Sequence, residues 1–259
     1  RVDPDTGEML LSGAGELHVE VTVEKLAREG IDVVLGKPMV LLREQMTTDG
    51  TTCTAGGGKV SQFSVKAVIT PDEETVRGLG SVLDSDTRSG CYLVDATRTV
   101  NPFRDEAEPI HEAFSALVES GPVSGERLRK ITIIIEQLGL RVESPETSWR
   151  DVTQPLLDAA RKSMMTGKPI VLEPWIHLEI STPEEHVGTI TAIVSKRQGR
   201  VLEIDSERTL YRVRAEIPVR ESFGLATEIR TSTSGWATWG ARAGGYRRVG
   251  ASANEQTFT

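Results

Sequence analysis

Apolar and polar positions alternate in three recognisable rhythms along this chain. From Trp175 to Ile180 ("WIHLEI") the period is two, which predicts a half-buried strand. The next stretch, "STPEEHVGTITAIVSKRQG", changes to a helical period, with Val187, Ile190, Ile193 and Val194 on one stripe. Thr182 is its expected N-cap, with Pro183 at the first helical position and Glu185 completing a capping box. Lys196 and Arg197 suit the C-terminal end of the helix dipole, and Gly199 suits a left-handed stop. Two strands ("RVLEID" and "LYRVRAEIPV"), a short helix near "SFGLATEIRTSTSG" and a strand-like "WATWGARAG" complete a βαββαβ order over 173–259, the split βαβ or ferredoxin-like pattern.

The middle of the chain predicts a second α+β unit over 48–172. "KVSQFSVKAVI" and "RKITIIIEQLGLRV" read as long strands and "CYLVDA" as a buried one. "DEETVRGLGSVL", "EAEPIHEAFSALVES" and "QPLLDAARKSMMTG" read as helices, with Met164 and Met165 as core packing. "AGGGK" (Ala55–Lys59) reads as a flexible hinge between domains. Residues 1–47 offer three strands ("EMLLS", "DVVLG", "MVLLREQM") and one helix ("GELHVEVTVEKLAREG"), about half of a small domain. An unpartnered half-sheet exposes an edge. With no initiator Met at position 1, this reads as a fragment of a longer protein.

Composition narrows the classes. The chain of 259 residues carries a net charge of −8. Residues 173–259 are balanced, with 11 Lys+Arg and 11 Asp+Glu, so the deficit lies in 1–172. Such a chain is a poor general nucleic-acid binder and argues against a DNA partner, because phosphate neutralisation needs clustered cations. RNA contact is confined to local clusters, "SKRQGR" (Ser195–Arg200) and "GYRRVG" (Gly245–Gly250). No apolar run reaches the roughly 20 residues of a membrane span. Two cysteines, Cys53 and Cys91, fit a reducing cytoplasm better than a disulfide scaffold.

The candidate chemistry is sparse. "SGAGELH" (Ser12–His18) and "AGGGK" lack the Lys-Ser/Thr ending of a P-loop. His18 reads as packed, His111 as solvated, His177 as part of a strand and His186 as lying in a first helical turn; together they give neither a metal-ligand spacing nor a nucleophile–base arrangement. Lys196, Arg197 and Arg200 form the most specific basic cluster.

Several blocks resemble one family. "TGEMLLSGAGELHVEV", "LVDATRTV", "EAFSALVESGPVSGERLRK", "KPIVLEPWIHLEI", "VGTITAIVSKRQGRVLEI" and "IPVRESFGLATEIRTSTSGWATW" are similar to the C-terminal half of elongation factor two, the archaeal and eukaryotic relative of elongation factor G. The resemblance implies half of a ferredoxin-like third domain (1–47), a ribosomal-protein-S5-like fourth domain (48–172) and a complete ferredoxin-like fifth domain (173–259). It implies the ribosome as partner, a monomer, and an upstream domain that holds GTP and Mg²⁺; this chain itself would hold no cofactor and hydrolyse no GTP.

In that family the fourth domain ends in a tip loop whose His becomes diphthamide. Here the tip is Glu143, Ser144, Pro145, Glu146, Thr147, Ser148, Trp149, Arg150 and Asp151, within a segment 141–155, and Glu146 stands at about the modified position. Pro145 restricts Ser144 to extended geometry, and Trp149 is expected to pack on its domain. Two readings follow, a divergent paralogue and a translocase with a shortened, unmodified tip; the first is preferred. Lys196, Arg197 and Arg200 become the expected rRNA-facing edge. Rivals from other classes are a small-molecule kinase on an S5-like fold and a ribosome-binding module without a GTPase cycle.

Overall fold

The computed structural model describes residues 11, 16–33, 40–70, 72–100, 107–140, 149–207, 209–250 and 258. The chain is α+β and divides into two compact units, Leu42–Leu172 and a second one made of Arg1–Leu41 with Glu173–Thr259. No described helix is long and apolar enough to cross a membrane.

In the unit of 42–172, β2 (Cys53–Gly57), β3 (Val60–Ile69), β6 (Ile131–Gly139), β5 (Cys91–Asp95) and β4 (Ser81–Asp86) lie side by side in that order. Only β5 and β6 pair in parallel. That parallel step needs a crossover, and α3 (Glu108–Glu119) supplies it. α3 and α4 (Gln154–Thr166) bring Ile110, Phe114, Leu117, Leu156, Ala160 and Met164 onto Phe63, Val65, Leu93, Ile133 and Ile135. The β-branched run in β6 is buried at every position from Ile131 to Ile135, as a central strand covered on both faces requires. α2 (Glu73–Leu79) begins at Asp72, whose carboxylate accepts from Thr75 N at 2.9 Å.

β1 (Arg43–Met46) also belongs to this unit. It pairs antiparallel with Pro169–Leu172, the start of β7 (Pro169–Thr182). The sequence boundary at 47/48 therefore falls too late: what holds residues 43–46 is a strand about 125 positions away, which no local pattern reveals. "AGGGK" is not a hinge either. It is the tight end of the β2–β3 hairpin, with Gly56, Gly57 and Gly58 at φ +83°, +109° and +70°.

In the other unit, α1 covers Glu16–Arg28. The expected strands around "EMLLS" and "DVVLG", the "SGAGELH" loop and the side chain of His18 lie outside the described residues. From Trp175 onward, β7 is followed by α5 (Glu184–Lys196), β8 (Arg200–Glu207), β9 (Leu210–Pro218), α6 (Leu225–Ser232) and β10 (Thr238–Arg248). β10 pairs with β7, β7 with β9 and β9 with β8, the ferredoxin-like arrangement that the βαββαβ order predicts. Alternate residues Ile176, Leu178 and Ile180 on β7 and Val213, Ala215 and Ile217 on β9 face Ile190, Ile193, Val194, Leu225 and Ile229 from the two helices.

Two details of α5 differ from expectation. Thr182 is the last residue of β7 and fully buried, so Pro183 takes the N-cap position and no side chain caps the helix. At the other end it is Gln198 that adopts the left-handed conformation, φ +56°. Gly199 is needed for space, since a Cβ there would run into the Ile217 side chain and the Glu216 carbonyl.

Candidate functional site

Before residues 141–148, β6 ends at Gly139; after them, one turn of π-helix, Trp149–Thr153, leads into α4. Three observations fix what surrounds its base. The pairs Gln62↔Gly139 and Phe63↔Leu138 put the β2–β3 hairpin turn beside the end of β6. A Cβ on Gly56 would press on Pro155 in the first turn of α4. Thr153 donates to the Pro109 carbonyl at 3.0 Å, which ties the start of α3 to the same end. Val152, Leu156 and Leu157 beneath are buried. The described residues on either side of the tip segment thus belong to a packed platform built by two helix starts and a hairpin. Glu143, Ser144, Pro145, Glu146, Thr147 and Ser148 themselves, with the expected geometry at Ser144–Pro145 and the packing of the Trp149 indole and the Arg150 side chain, lie outside the described residues. Asp151 lies in the π turn.

A second ordered loop in this unit has no role assigned by the sequence reading. "GPVSGE" (Gly121–Glu126) wraps around the carboxylate of Glu44, a residue only 1 % exposed. That carboxylate accepts from Val123 N (2.8 Å), Ser124 N (2.7 Å), Ser124 Oγ (3.2 Å) and Glu126 N (3.1 Å). No local signal in the sequence marks this contact, because Glu44 lies about 80 residues before the loop that holds it.

The basic cluster of Lys196, Arg197 and Arg200 comes apart in space. Lys196 and Arg197 both pair with Glu228 on α6, at 3.0 and 2.6 Å. Arg197 also donates to the carbonyls of Glu221 and Phe223, so it clamps the end of α5 to the loop before α6. These two cations hold the Glu228 carboxyl below its usual range, the Arg197 hydrogen bond contributing most. Arg200 points elsewhere. It joins Arg247 on the buried Glu216, with His177 Nδ1 3.8 Å from the same carboxylate, while Arg247 lies 4.3 Å above the Trp175 ring. The side chains of Lys196 and Arg200 retain 75 % and 39 % exposure, against 15 % for Arg197, so two of the three can still reach outward.

Other sequence assignments resolve plainly. His111 is not simply solvated, because its Nδ1 lies 2.9 Å from Asp84 Oδ2. His186 sits 3.4 Å from Glu185. Met164 is core, whereas Met165 is half exposed because it falls on the outer face of α4. Among the described residues no group of three or more His, Cys, Asp or Glu could hold a metal ion. Cys91 is buried and its thiol is pushed up by that burial; Cys53 is half buried. The "AGGGK" glycines lead into a strand rather than a helix N-terminus, so they do not form the phosphate cradle that a kinase would need.

Comparison with known proteins agrees with this architecture. Residues 170–257 match the family model of the elongation factor G C-terminus, and residues 1–37 match that of elongation factor G domain III. Elongation factor 2 of Desulfurococcus mucosus is 28 % identical over 270 residues, covering 93 % of this chain and 37 % of that protein. Elongation factor 2 of Pyrococcus furiosus is 27 % identical over 278 residues, covering 96 % of this chain and 38 % of that protein. The chain spans little more than a third of the length of these relatives. The elongation factor G domain III match at one end, the elongation factor G C-terminus match at the other and the similarity over most of the chain lead to one conclusion: this chain is similar to archaeal elongation factor 2 along most of its length.

Proposed function

We propose that this chain is the ribosome-binding C-terminal portion of an elongation-factor-2-like translational GTPase, acting in the cytoplasm in translocation or a related ribosomal step. One observation carries the reading: similarity to elongation factor 2 extends across 93 % of the chain, through both compact units. GTP and Mg²⁺ would belong to a domain outside this chain, and its own residues would act mechanically rather than chemically. The tip Glu143–Asp151 is the element that would reach into the ribosome, held by the platform of Val152, Leu156 and Leu157. Lys196 and Arg200 supply the exposed cations of an RNA-facing edge.

The tip chemistry favours a paralogue over an ordinary translocase. It sets Glu143, Glu146 and Asp151 against Arg141 and Arg150, and no His lies between His111 and His177. Carboxylates beside RNA phosphates repel, so a tip of this composition suits a different ribosomal site or state from that of a basic, His-bearing tip.

Co-sedimentation of the chain with ribosomes of its source organism tests the proposal. Binding should be saturable, weaken as salt is raised, and be mutually exclusive with elongation factor 2. Absence of saturable binding at low salt, or simultaneous binding with elongation factor 2, would overturn it.

A further inference from the structure

The cations of residues 173–250 are paired with few exceptions. Lys196, Arg197, Arg200, Arg212, Arg214, Arg220 and Arg247 each have a carboxylate partner. Among the described residues of this stretch, Arg230, Arg242 and Arg248 have none, and all three are exposed. They lie at the end of α6 and along β10, the two elements joined by the turn that carries Trp236. Trp236 is 67 % exposed, the most exposed large apolar side chain among the described residues. Unpaired arginines on the two elements that flank an outward indole do not suit a fold that pairs its other cations and buries most of its apolar side chains.

The turn is built to hold that indole out. Thr233 is fully buried, and its hydroxyl bonds the Ile229 carbonyl at 2.8 Å while accepting from Ala237 N at 3.3 Å. Gly235 N donates to Arg230 O at 2.8 Å, Ser234 N to Thr231 O at 3.4 Å, and Trp236 N to Thr233 O at 2.9 Å. Ser234 and Gly235 take left-handed conformations, φ +51° and +81°. Trp239, two strand positions further than Ala237, turns inward onto the core of this unit, which anchors the far side. The chain around Trp236 is therefore fixed, and its neighbours Thr231, Ser232, Ser234, Gly235 and Thr238 are small, polar or without a side chain, and exposed.

We infer that Trp236 is a base-stacking platform for single-stranded RNA, with Arg230 and Arg242 contacting the flanking phosphates. An indole face stacks on any base, and small surroundings leave room for a planar partner to approach. A protein anchor would instead be ringed by apolar or tightly packed neighbours that exclude water, and this turn has none. Arg230 is tied by its own carbonyl to the turn, and Arg242 is four residues into β10, roughly 20 Å of extended chain beyond Trp236. That spacing matches a strand of three or four nucleotides rather than one. Aromatic side chains presented between arginines are how single-stranded regions of folded RNA are gripped. The inference rests on the ribosome reading for where such RNA is met, but not for whether the turn binds RNA.

Two measurements on the full chain separate those questions. The first titrates a single-stranded RNA 12-mer into wild type, Trp236→Ala, Trp236→Phe and the double variant Arg230→Ala/Arg242→Ala, reading indole emission and affinity at several salt concentrations. Wild-type emission should be quenched, Trp236→Ala should bind roughly ten- to a hundred-fold more weakly, and Trp236→Phe should recover most of that affinity. The arginine variant should keep the quench at low salt but show a shallower salt dependence, by about 0.7 for each phosphate that is no longer neutralised. The second measures ribosome affinity of the same variants and identifies what ultraviolet light crosslinks to Trp236. Equal affinity of wild type and Trp236→Ala for the 12-mer, with no quench, overturns the platform. A crosslink to a ribosomal protein rather than to RNA overturns it in favour of a protein partner, even if the ribosome reading stands. Quenching by the 12-mer without any ribosome binding supports the platform and removes the ribosome reading. Matching circular dichroism and melting of the variants confirm that the fold is unchanged.

Discussion

Replacing Glu44 by Ala should loosen the 121–126 loop and destabilise the unit of 42–172. The Glu44 carboxylate is 1 % exposed and accepts four hydrogen bonds from Val123, Ser124 and Glu126. A hydrogen bond to a charged group contributes about 1.5–3 kcal/mol net. The four do not add, because Val123 and Ser124 are exposed and their N–H groups can turn to water once the carboxylate is gone. About 2–4 kcal/mol is the expected cost of Glu44→Ala. Glu44→Gln keeps the volume but sets an NH₂ against backbone donors, and should cost about 1–2 kcal/mol. Gly121 supplies the internal control. A Cβ there would lie 2.6 Å from Glu44 Cδ and 2.8 Å from Leu128 Cδ2, so Gly121→Ala should cost about 1–3 kcal/mol by overpacking. With the carboxylate already removed, much of that clash disappears, so the double variant should be more stable than the sum by about 1 kcal/mol. Urea unfolding of the four proteins measures the cycle, and hydrogen exchange of peptides spanning 119–130 shows whether the destabilisation is local. A Glu44→Ala change under about 0.5 kcal/mol, or unaltered exchange in that peptide, would refute the reasoning.

Three further outcomes are expected. Glu228 is held below its ordinary value of 4.5 by Arg197 first and Lys196 second, so the stability it contributes is complete above that value and is lost as pH falls through its folded pKa. The urea midpoint of the unit containing residues 173–259 should therefore fall below about pH 4.5, and Glu228→Gln should flatten that fall; equal slopes would disprove the linkage. Burial raises the Cys91 thiol, so a thiol reagent at mildly alkaline pH should modify Cys53 quickly and Cys91 only as the fold opens; two equally fast thiols would contradict the buried position. Because diphthamide is built on imidazole and the tip has no His, mass spectrometry of the 142–150 peptide from the native host should find it unmodified, and the protein should resist diphtheria-toxin-type ADP-ribosylation.

The βαββαβ order was legible because β7 and β9 alternate at period two while α5 keeps one apolar stripe. What failed was local detail governed by distant residues. Thr182 and Pro183 carry a helix-start signature, yet β9 holds Thr182 in the sheet through its pairing with Tyr211. Gly199 looked like a helix stop, but the residue that requires it to be glycine is Ile217. Lys196, Arg197 and Arg200 looked like one free basic patch, whereas Glu228 and Glu216, 16 to 32 positions further along the chain (216 − 200 and 228 − 196), divide them. The fold of the tip's platform was legible in its long strands and helices; its partners at the base were not, because Gly56, Pro109 and Pro155 meet only through β3–β6 register. Trp236 carried no signal, since nothing in "SGWATW" distinguishes an outward indole from the inward Trp239.

The pairing of β1 with the start of β7 has a consequence for synthesis. Arg43 meets Leu172, a separation of 129 residues (172 − 43). At about 5–20 residues per second, residue 172 is made roughly 6–26 seconds after residue 43. The β2–β3 hairpin can close early, since its turn is short, but β3 must wait for β6, and the edge formed by β1 for β7. A nascent chain of this protein therefore carries open strand edges until its second half has been made. Over those seconds the unpaired N–H and C=O groups along β1 and β3 are open to pairing with another chain.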